Sequence, residues 1–251
     1  MTRVFFVGAG PGDPQLITLR GAALLERCCA VFTFAPLDET FAGLIAGKPV
    51  YDPYDFAFGD LLKRLDELLQ SGDVVFLQPG DLTFFSPFQA LIEALGDRVE
   101  VVPGVGTANA ASALLRRTLN LSGVCTRTVL VSTRVLAEAP GAPVLEDVAA
   151  PGVTLLIYMN HYPLEELVSR LRTGYGRNEP IAVAHRIGLS GQRLYLGTLD
   201  DIVDQTRDCA LFDEKGRADL TLIIVGEALT AIPDESWWDD RRLHVRRHRS
   251  R

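Results

Sequence analysis

The sequence predicts an α/β fold in two domains, on three observations. Short apolar runs alternate with segments of helical periodicity. Glycine-containing turns follow three of those runs directly. The texture then changes past a polar stretch, "RTLNLSG" at residues 117–123. With 251 residues, 47% of them hydrophobic, the chain has ample material for a packed core. The expected division is residues 1–116, residues 117–232 and a basic tail at 233–251.

The elements follow in order. "RVFFVGAG" reads as a buried strand ending in glycine. Residues 18–28 read as a helix, with Leu19, Ala22, Ala23, Leu24 and Leu25 at helical spacing. "AVFTF" and "PVYD" are short strands, and "LLKRLDELL" at 61–69 is an amphipathic helix. "DVVFL" is a strand. Ser86 caps a helix with Pro87 at its first position, leading into "FQALIEAL". "RVEVV" is a strand ending at Pro103, and Thr107 caps the Ala-rich "ANAASALLRR". In the second half "TRTVLVSTR" is a strand, and "APGAPVLEDVAAPG" is loop with a short helix. "VTLLIYMN" is a strand and "PLEELVSRLRTGYG" a helix with glycine stops. "PIAVAHRIG" and "QRLYLGTL" are strands, "LDDIVDQTRD" a helix and "DLTLIIVGE" the last strand.

Composition excludes several classes. The net charge of −7 speaks against a nucleic-acid binder. The tail "RRLHVRRHRSR" at 241–251 is basic and reads as a solvated, frayed end; an anion-binding arm is the sharper alternative. Cys28, Cys29, Cys125 and Cys209 form no C-x-x-C pair, and the four histidines lack ligand spacing. A reduced, cytoplasmic protein without a metal site is expected. No apolar run is long enough to cross a membrane, and no signal peptide is read at the N-terminus.

The glycine turns carry the chemistry. "GAGPGDP" at 8–14 fails the dinucleotide pattern G-x-G-x-x-G, because Asp13 stands where the third glycine belongs. Its carboxylate would repel a pyrophosphate. Pro11 and Pro14 stiffen the loop, so this is a rigid turn holding Asp13 where open α/β sheets place ligands. The bland alternative is a structural turn with Asp13 as a cap. "QPGDL" at 78–82 again sets Gly before Asp at a strand end, followed by Phe84 and Phe85. "VVPGVGTANAA" at 101–111 runs from a strand through Pro-Gly-x-Gly-Thr into a helix of small residues. Small side chains let a ligand approach the backbone, and free N–H groups at a helix start favour an anionic group. Each motif alone is weak. Together they would converge on one rim of one sheet.

These residues resemble the tetrapyrrole methylases, the S-adenosylmethionine-dependent enzymes of cobalamin and sirohaem synthesis. The family opens with V-G-x-G-P-G-D-P-x-L-[IL]-T, and the chain has "VGAGPGDPQLIT". "GDLTFF" stands where the family has a mid-domain G-D-P followed by an aromatic, and "VVPGVGTANAA" where it has V-x-P-G-V/I before a small-residue helix. "LNLSGVCTRTVLVSTR" and "GYGRNEPIAVAHR" are similar to the precorrin-4 and cobalt-precorrin-4 C11-methyltransferases. The resemblance implies two α/β domains with the cofactor and substrate cleft between them, S-adenosylmethionine as cofactor, a tetrapyrrole substrate and a homodimer. It implies cofactor contacts from Gly80, Asp81, Phe84, Phe85, Gly106, Thr107, Ala108, Met159, Ala184, His185 and Gly226. Gly10, Pro11, Gly12, Asp13, Pro14, Arg134 and Arg186 are expected to face the substrate.

Methyl transfer from a sulfonium expels a neutral thioether, so no acid is needed. The protein must mainly hold donor and acceptor in line. A carboxylate is still wanted for the proton lost after transfer, and Asp13 is the candidate. The chain departs from the subgroup at Gln78-Pro79, Leu82, Phe85-Ser86, "FAPLD" and "RIGLSG". Three alternatives therefore stay open: uroporphyrinogen III or another precorrin position as acceptor, a protein or RNA acceptor, and a non-catalytic member that binds cofactor or tetrapyrrole.

Overall fold

A computed structural model describes residues 2–138, 141, 144–212 and 219–249. Parts of "APGAPVLEDVAAPG" and the final two residues of the basic tail lie outside these. The chain forms two compact units. One comprises Met1–Leu114, Ala184–Leu194 and Asp219–Leu222; the other comprises Leu115–Val183, Tyr195–Ala218 and Ile223–Arg251.

The first unit contains β1 (Val4–Gly8), α1 (Leu19–Arg27), β2 (Ala30–Phe32), α2 (Leu37–Thr40), α3 (Ala42–Ile45), β3 (Val50–Tyr51), α4 (Phe58–Leu68), β4 (Val74–Gln78), α5 (Gln89–Leu95) and β5 (Val99–Val102). Helix α6 (Thr107–Leu115) follows. The five strands are parallel in the order β3-β2-β4-β1-β5. The inner strands β1, β2 and β4 are buried on both faces, as in parallel sheets generally, which is why they read as unbroken apolar runs, whereas the edge strands β3 and β5 are partly exposed. Alternation sends Phe5, Val7, Val75 and Leu77 to one face with Leu24, Leu25, Leu37 and Phe41. It sends Phe6, Phe32, Phe76 and Val74 to the other, with Leu61, Leu65, Phe88 and Leu91. Thr18 caps α1 by accepting from the Gly21 N–H at 3.1 Å. Helix α5 starts at Gln89, later than expected; Ser86 Oγ instead accepts from Phe88 N at 3.3 Å and holds a turn. Helices α2 and α3, four residues each, carried no readable periodicity.

The second half contains β6 (Arg127–Ser132), α7 (Thr133–Glu138), α8 (Leu145–Val148), β7 (Val153–Tyr158), α9 (Leu164–Tyr175), β8 (Pro180–His185), β9 (Arg193–Thr198), α10 (Ile202–Gln205), β10 (Thr221–Val225) and α11 (Ser236–Arg249). The strand order is β6-β7-β10-β8-β9. The strand expected through Arg134 ends at Ser132, whose hydroxyl accepts from Val135 N at 3.3 Å and starts α7. Gly176 ends α9 in the left-handed conformation (φ 67°), as its glycine stop predicts. Residues 241–249 of the stretch read as a frayed tail lie in the helix α11. No helix among the described residues is long and apolar enough to cross a membrane.

Candidate functional site

In the first unit the three glycine turns leave three adjacent strands, β4, β1 and β5, at their carboxyl ends. They are sewn together there. Gly10 N donates to Gly80 O at 3.0 Å, and Gly80 N donates to Gly10 O at 2.6 Å. Gly8 and Gly104 are in backbone contact: a Cβ on Gly8 would lie 2.7 Å from both Gly104 Cα and Gly80 O. One knot of glycine backbone thus joins "GAG", "PGD" and "PGVG". No side chain fits inside it.

Around the knot the expected residues take definite places. Gly80 has φ 66°, and above its Cα only Thr107 approaches, at 3.7 Å from the Oγ1. The backbone there is open to a ligand. Asp81 Oδ1 accepts from Thr83 N at 2.5 Å and tightens the turn. Phe84 and Phe85 are 56% and 40% exposed rather than core, so the aromatic pair is presented outward. Gly106 O accepts from Asn109 N and Ala110 N, so Gly106 precedes the first turn of α6. The Thr107 and Ala108 N–H groups stand at that start without intrahelical partners.

The "GPGDP" loop packs against a second segment of the same unit. A Cβ on Gly12 would collide with the Leu189 side chain, and one on Gly188 would meet Asp13 N at 2.8 Å. Pro11 and Gly12 are buried, Asp13 and Pro14 half-buried. Asp13 Oδ1 accepts from Gln15 N at 2.8 Å, so one oxygen caps the turn that follows. Arg186, at the end of β8, pairs with Asp219 Oδ2 at 3.1 Å and donates to Ser190 O at 3.1 Å. Ala184 and His185 are buried. His185 Nδ1 bonds Thr221 Oγ1 at 3.0 Å, and Nε2 lies 3.6 Å from Asp219 Oδ2. Burial holds the His185 pKa below its ordinary 6.5; Arg186 and Arg193 push the same way, against Asp219. A lowered native pKa means that the unfolded chain binds the proton more readily. His185 therefore contributes stability above about pH 6.5, lost as pH falls through its native pKa. Melting followed between pH 8 and 5 is expected to show a smaller acid decline in His185→Gln than in wild type.

Arg134, Met159 and Gly226 belong to the second unit. Arg134 is exposed in the first turn of α7. Met159 follows β7, 38% exposed at φ 46°, with its carbonyl 3.5 Å from Thr133 Oγ1. Gly226 does not join Met159. It touches Val153 O and donates from its N–H to Pro180 O, at the opposite end of β7. Six strand residues at about 3.3 Å each separate the two. A Cβ there would lie 2.9 Å from Val153 O, so Gly226 is a packing glycine. A cavity of about 390 Å³ between α9 and α10, lined by His161, Glu165, Thr206 and Cys209 among others, includes none of the expected residues.

Backbone strain marks the same places. Four described non-glycine residues have positive φ: Phe85, Arg116, Met159 and Arg186. Left-handed backbone is costly for such residues and concentrates at functional sites. Phe85, Met159 and Arg186 are among the residues expected to contact cofactor or substrate. Gln78, buried at the end of β4, and Asp219 were not picked.

The sequence profile of the tetrapyrrole (corrin/porphyrin) methylases matches residues 3–203. The chain belongs to this family. A relative from Mycobacterium tuberculosis, named precorrin-4 C(11)-methyltransferase, is 33% identical to this methylase and covers 98% of it and 97% of its own length. A relative of the same name from Pseudomonas aeruginosa is 30% identical over 97% of this chain and 98% of its own. Among solved structures, a cobalt precorrin-4 methyltransferase of cobalamin biosynthesis superposes with a TM-score of 0.78 over 91% of this methylase and 96% of its own chain, at 22% identity. At that identity the likeness shows the fold. The uroporphyrin-III C-methyltransferase of Thermus thermophilus, solved with S-adenosyl homocysteine, aligns at 25% identity with a TM-score of 0.67, covering 93% and 96%.

Proposed function

We propose that this chain is an S-adenosylmethionine-dependent methyltransferase of cobalamin biosynthesis that methylates a precorrin-4-like tetrapyrrole at C11. The observation that carries this reading is the full-length kinship to precorrin-4 C(11)-methyltransferases together with the glycine knot. The knot fits the donor. It leaves open backbone at Gly80 and free N–H groups at the start of α6, on the rim where a small polar ligand is received.

Gly80, Asp81, Gly106, Thr107 and Ala108 hold the donor in this reading, beside the backbone of Phe84 and Phe85. Met159, Ala184 and His185 are proposed as further donor contacts. Bound S-adenosylmethionine supplies an electrophilic methyl group on sulfur. The residues of the chain orient it and keep the acceptor carbon in line. The "GPGDP" loop, Arg134 and Arg186 face the acceptor, and the arginines meet its carboxylates. Arg186 reaches such a carboxylate only in competition with Asp219.

Asp13 takes the proton released from the ring, using the oxygen not engaged by Gln15 N. Asparagine preserves the cap but not the base. Asp13→Asn is therefore expected to lower kcat by roughly 100-fold or more with unchanged S-adenosylhomocysteine affinity. An unchanged kcat would leave Asp13 a cap and nothing else.

We further propose a homodimer in a reducing, cytoplasmic setting. Trp237 and Trp238 on α11 stay 50% and 68% exposed, which supports a partner surface. All four cysteines are unpaired, and burial pushes the Cys28 thiol up to about 11, far from reactive. The deciding experiment offers isotopically labelled donor with precorrin-4, its cobalt form and uroporphyrinogen III in turn. One methyl per precorrin-4, located at C11 by NMR, is expected. Label on uroporphyrinogen III alone would move the chain to another step. Absence of S-adenosylhomocysteine binding at high micromolar concentration would remove the methylase activity altogether.

A further inference from the structure

We infer that Gln78 donates a hydrogen bond from its side-chain amide to a carboxylate of a bound ligand. It is thereby a ligand-reading residue at the tip of β4. The inference rests on the methyltransferase reading above and adds a residue to it.

The position is defined by the sheet. Gln78 is the last residue of β4 and sits beside Gly8, the last residue of β1. Its own carbonyl accepts from Ala9 N at 2.7 Å, and two residues later comes the Gly10–Gly80 bridge. It therefore stands at the foot of the glycine knot, immediately before Gly80 and Asp81.

Its environment is wrong for an amide. The rest of β4 is Val74, Val75, Phe76 and Leu77, each fully buried. Gln78 itself is 4% exposed, and its Nε2 is buried without a partner among the described residues. By alternation it shares a face with Phe76 and Val74, where a Leu or Met would extend the apolar cluster at no polar cost. Buried donors are almost always satisfied, and an orphan is unfavourable for folding. A polar group that folding does not use, placed at the ligand rim, is explained by a ligand that uses it.

The chemistry of that ligand group follows from the donor. An N–H pair can only donate, so the partner is an acceptor oxygen. A carboxylate is the acceptor that gains most from a buried neutral donor. Both participants of the proposed reaction carry one: the methyl donor in its amino-acid end, the tetrapyrrole in its acetate and propionate arms. The shared chemistry is the carboxylate, and the experiment separates the two sources.

Gln78→Met keeps the bulk and removes the donor; Gln78→Glu keeps the shape and sets a carboxylate against a carboxylate. Three quantities are measured on wild type and both variants: ligand-free melting temperature, S-adenosylhomocysteine affinity by calorimetry, and acceptor KM at saturating donor. Gln78→Met is expected to melt at or above wild type, because it removes an orphan. It is expected to weaken one ligand by roughly 10- to 100-fold, and Gln78→Glu to weaken the same ligand further. Weaker S-adenosylhomocysteine binding assigns the donor's carboxylate. A raised acceptor KM with unchanged S-adenosylhomocysteine affinity assigns the tetrapyrrole's. Unchanged affinity and KM in both variants overturn the inference. So does a clear loss of ligand-free stability in Gln78→Met, which would mean that the amide pairs inside the protein. Wild type failing to bind either ligand is a different failure: it sinks the methyltransferase reading and takes this inference with it.

Discussion

Gly104→Ala is expected to destabilise the first unit by about 3 kcal/mol or more and to abolish S-adenosylhomocysteine binding in the high micromolar range. The added methyl would collide with Gly80 O and approach Gly8 Cα and C at 2.8 Å. All of these are backbone atoms, held by strand pairing and by the Gly10–Gly80 bridge, so no side chain can rotate away. Relief requires the turn after β5 to part from those after β1 and β4. That same separation opens the knot on which the proposed donor site is built, so stability and affinity fall together. Gly59→Ala is the control. Gly59 is exposed in the first turn of α4 with nothing within 4 Å of an added Cβ, and alanine is the better helix former. That variant is expected to gain up to about 1 kcal/mol and to bind as wild type does. Urea unfolding and calorimetry on the pair check both statements. If Gly104→Ala bound normally, the three turns would not act as one site.

The turns were legible because glycine and proline announce backbone geometry locally. Gly8, Gly10, Gly80 and Gly104 follow short runs that read as strands, and the strand order makes their turns neighbours. What stayed hidden depends on non-local contacts. Ser132 caps α7, but it sits in "TRTVLVSTR", whose β-branched run reads as strand to its end. Helix α11 has no apolar stripe, so its charge-rich sequence looked like solvated chain. Segments 184–194 and 219–222 pack with the first unit although they lie far along the chain, a grouping that no local periodicity encodes. In the site, Gly226 was chosen on a motif in the expected order. The antiparallel return of β10 carries it to the far end of β7. Gln78 could be read as a departure from look-alike sequences. That its amide lacks a partner is a property of its surroundings, invisible before the fold is known.

Phe76→Ala is expected to cost the first unit about 3–5 kcal/mol, a large share of the roughly 5–15 kcal/mol that holds a typical domain together. Phe76 is fully buried at the centre of an aromatic stack. Its ring lies 4.6 Å from that of Phe32, 4.7 Å from that of Phe6 and 5.6 Å from that of Phe88. Truncation removes the transfer energy of the ring, leaves a cavity between three rings and forfeits the pair geometry, worth about 0.5–1.5 kcal/mol per pair. The site is touched through both ends of one loop. Phe76 lies two residues before Gln78, and Phe88 closes the 81–88 segment that carries Asp81, Phe84 and Phe85. When the stack loosens, the segment loses its anchor at Phe88 while the Gly80 end stays bridged to Gly10. Donor affinity is therefore expected to fall even at temperatures where the variant is still folded. Phe76→Leu fills most of the volume without the ring and should recover more than half of the stability. Because the chain has two compact units, the informative measurement is a melt resolved by probes in each. Phe76→Ala should lower the transition of the unit holding β4 and leave that of the unit holding β7 nearly where it was. A common shift of both transitions would mean that the two units unfold as one. A loss below about 1 kcal/mol would mean that the stack is not what positions the rim.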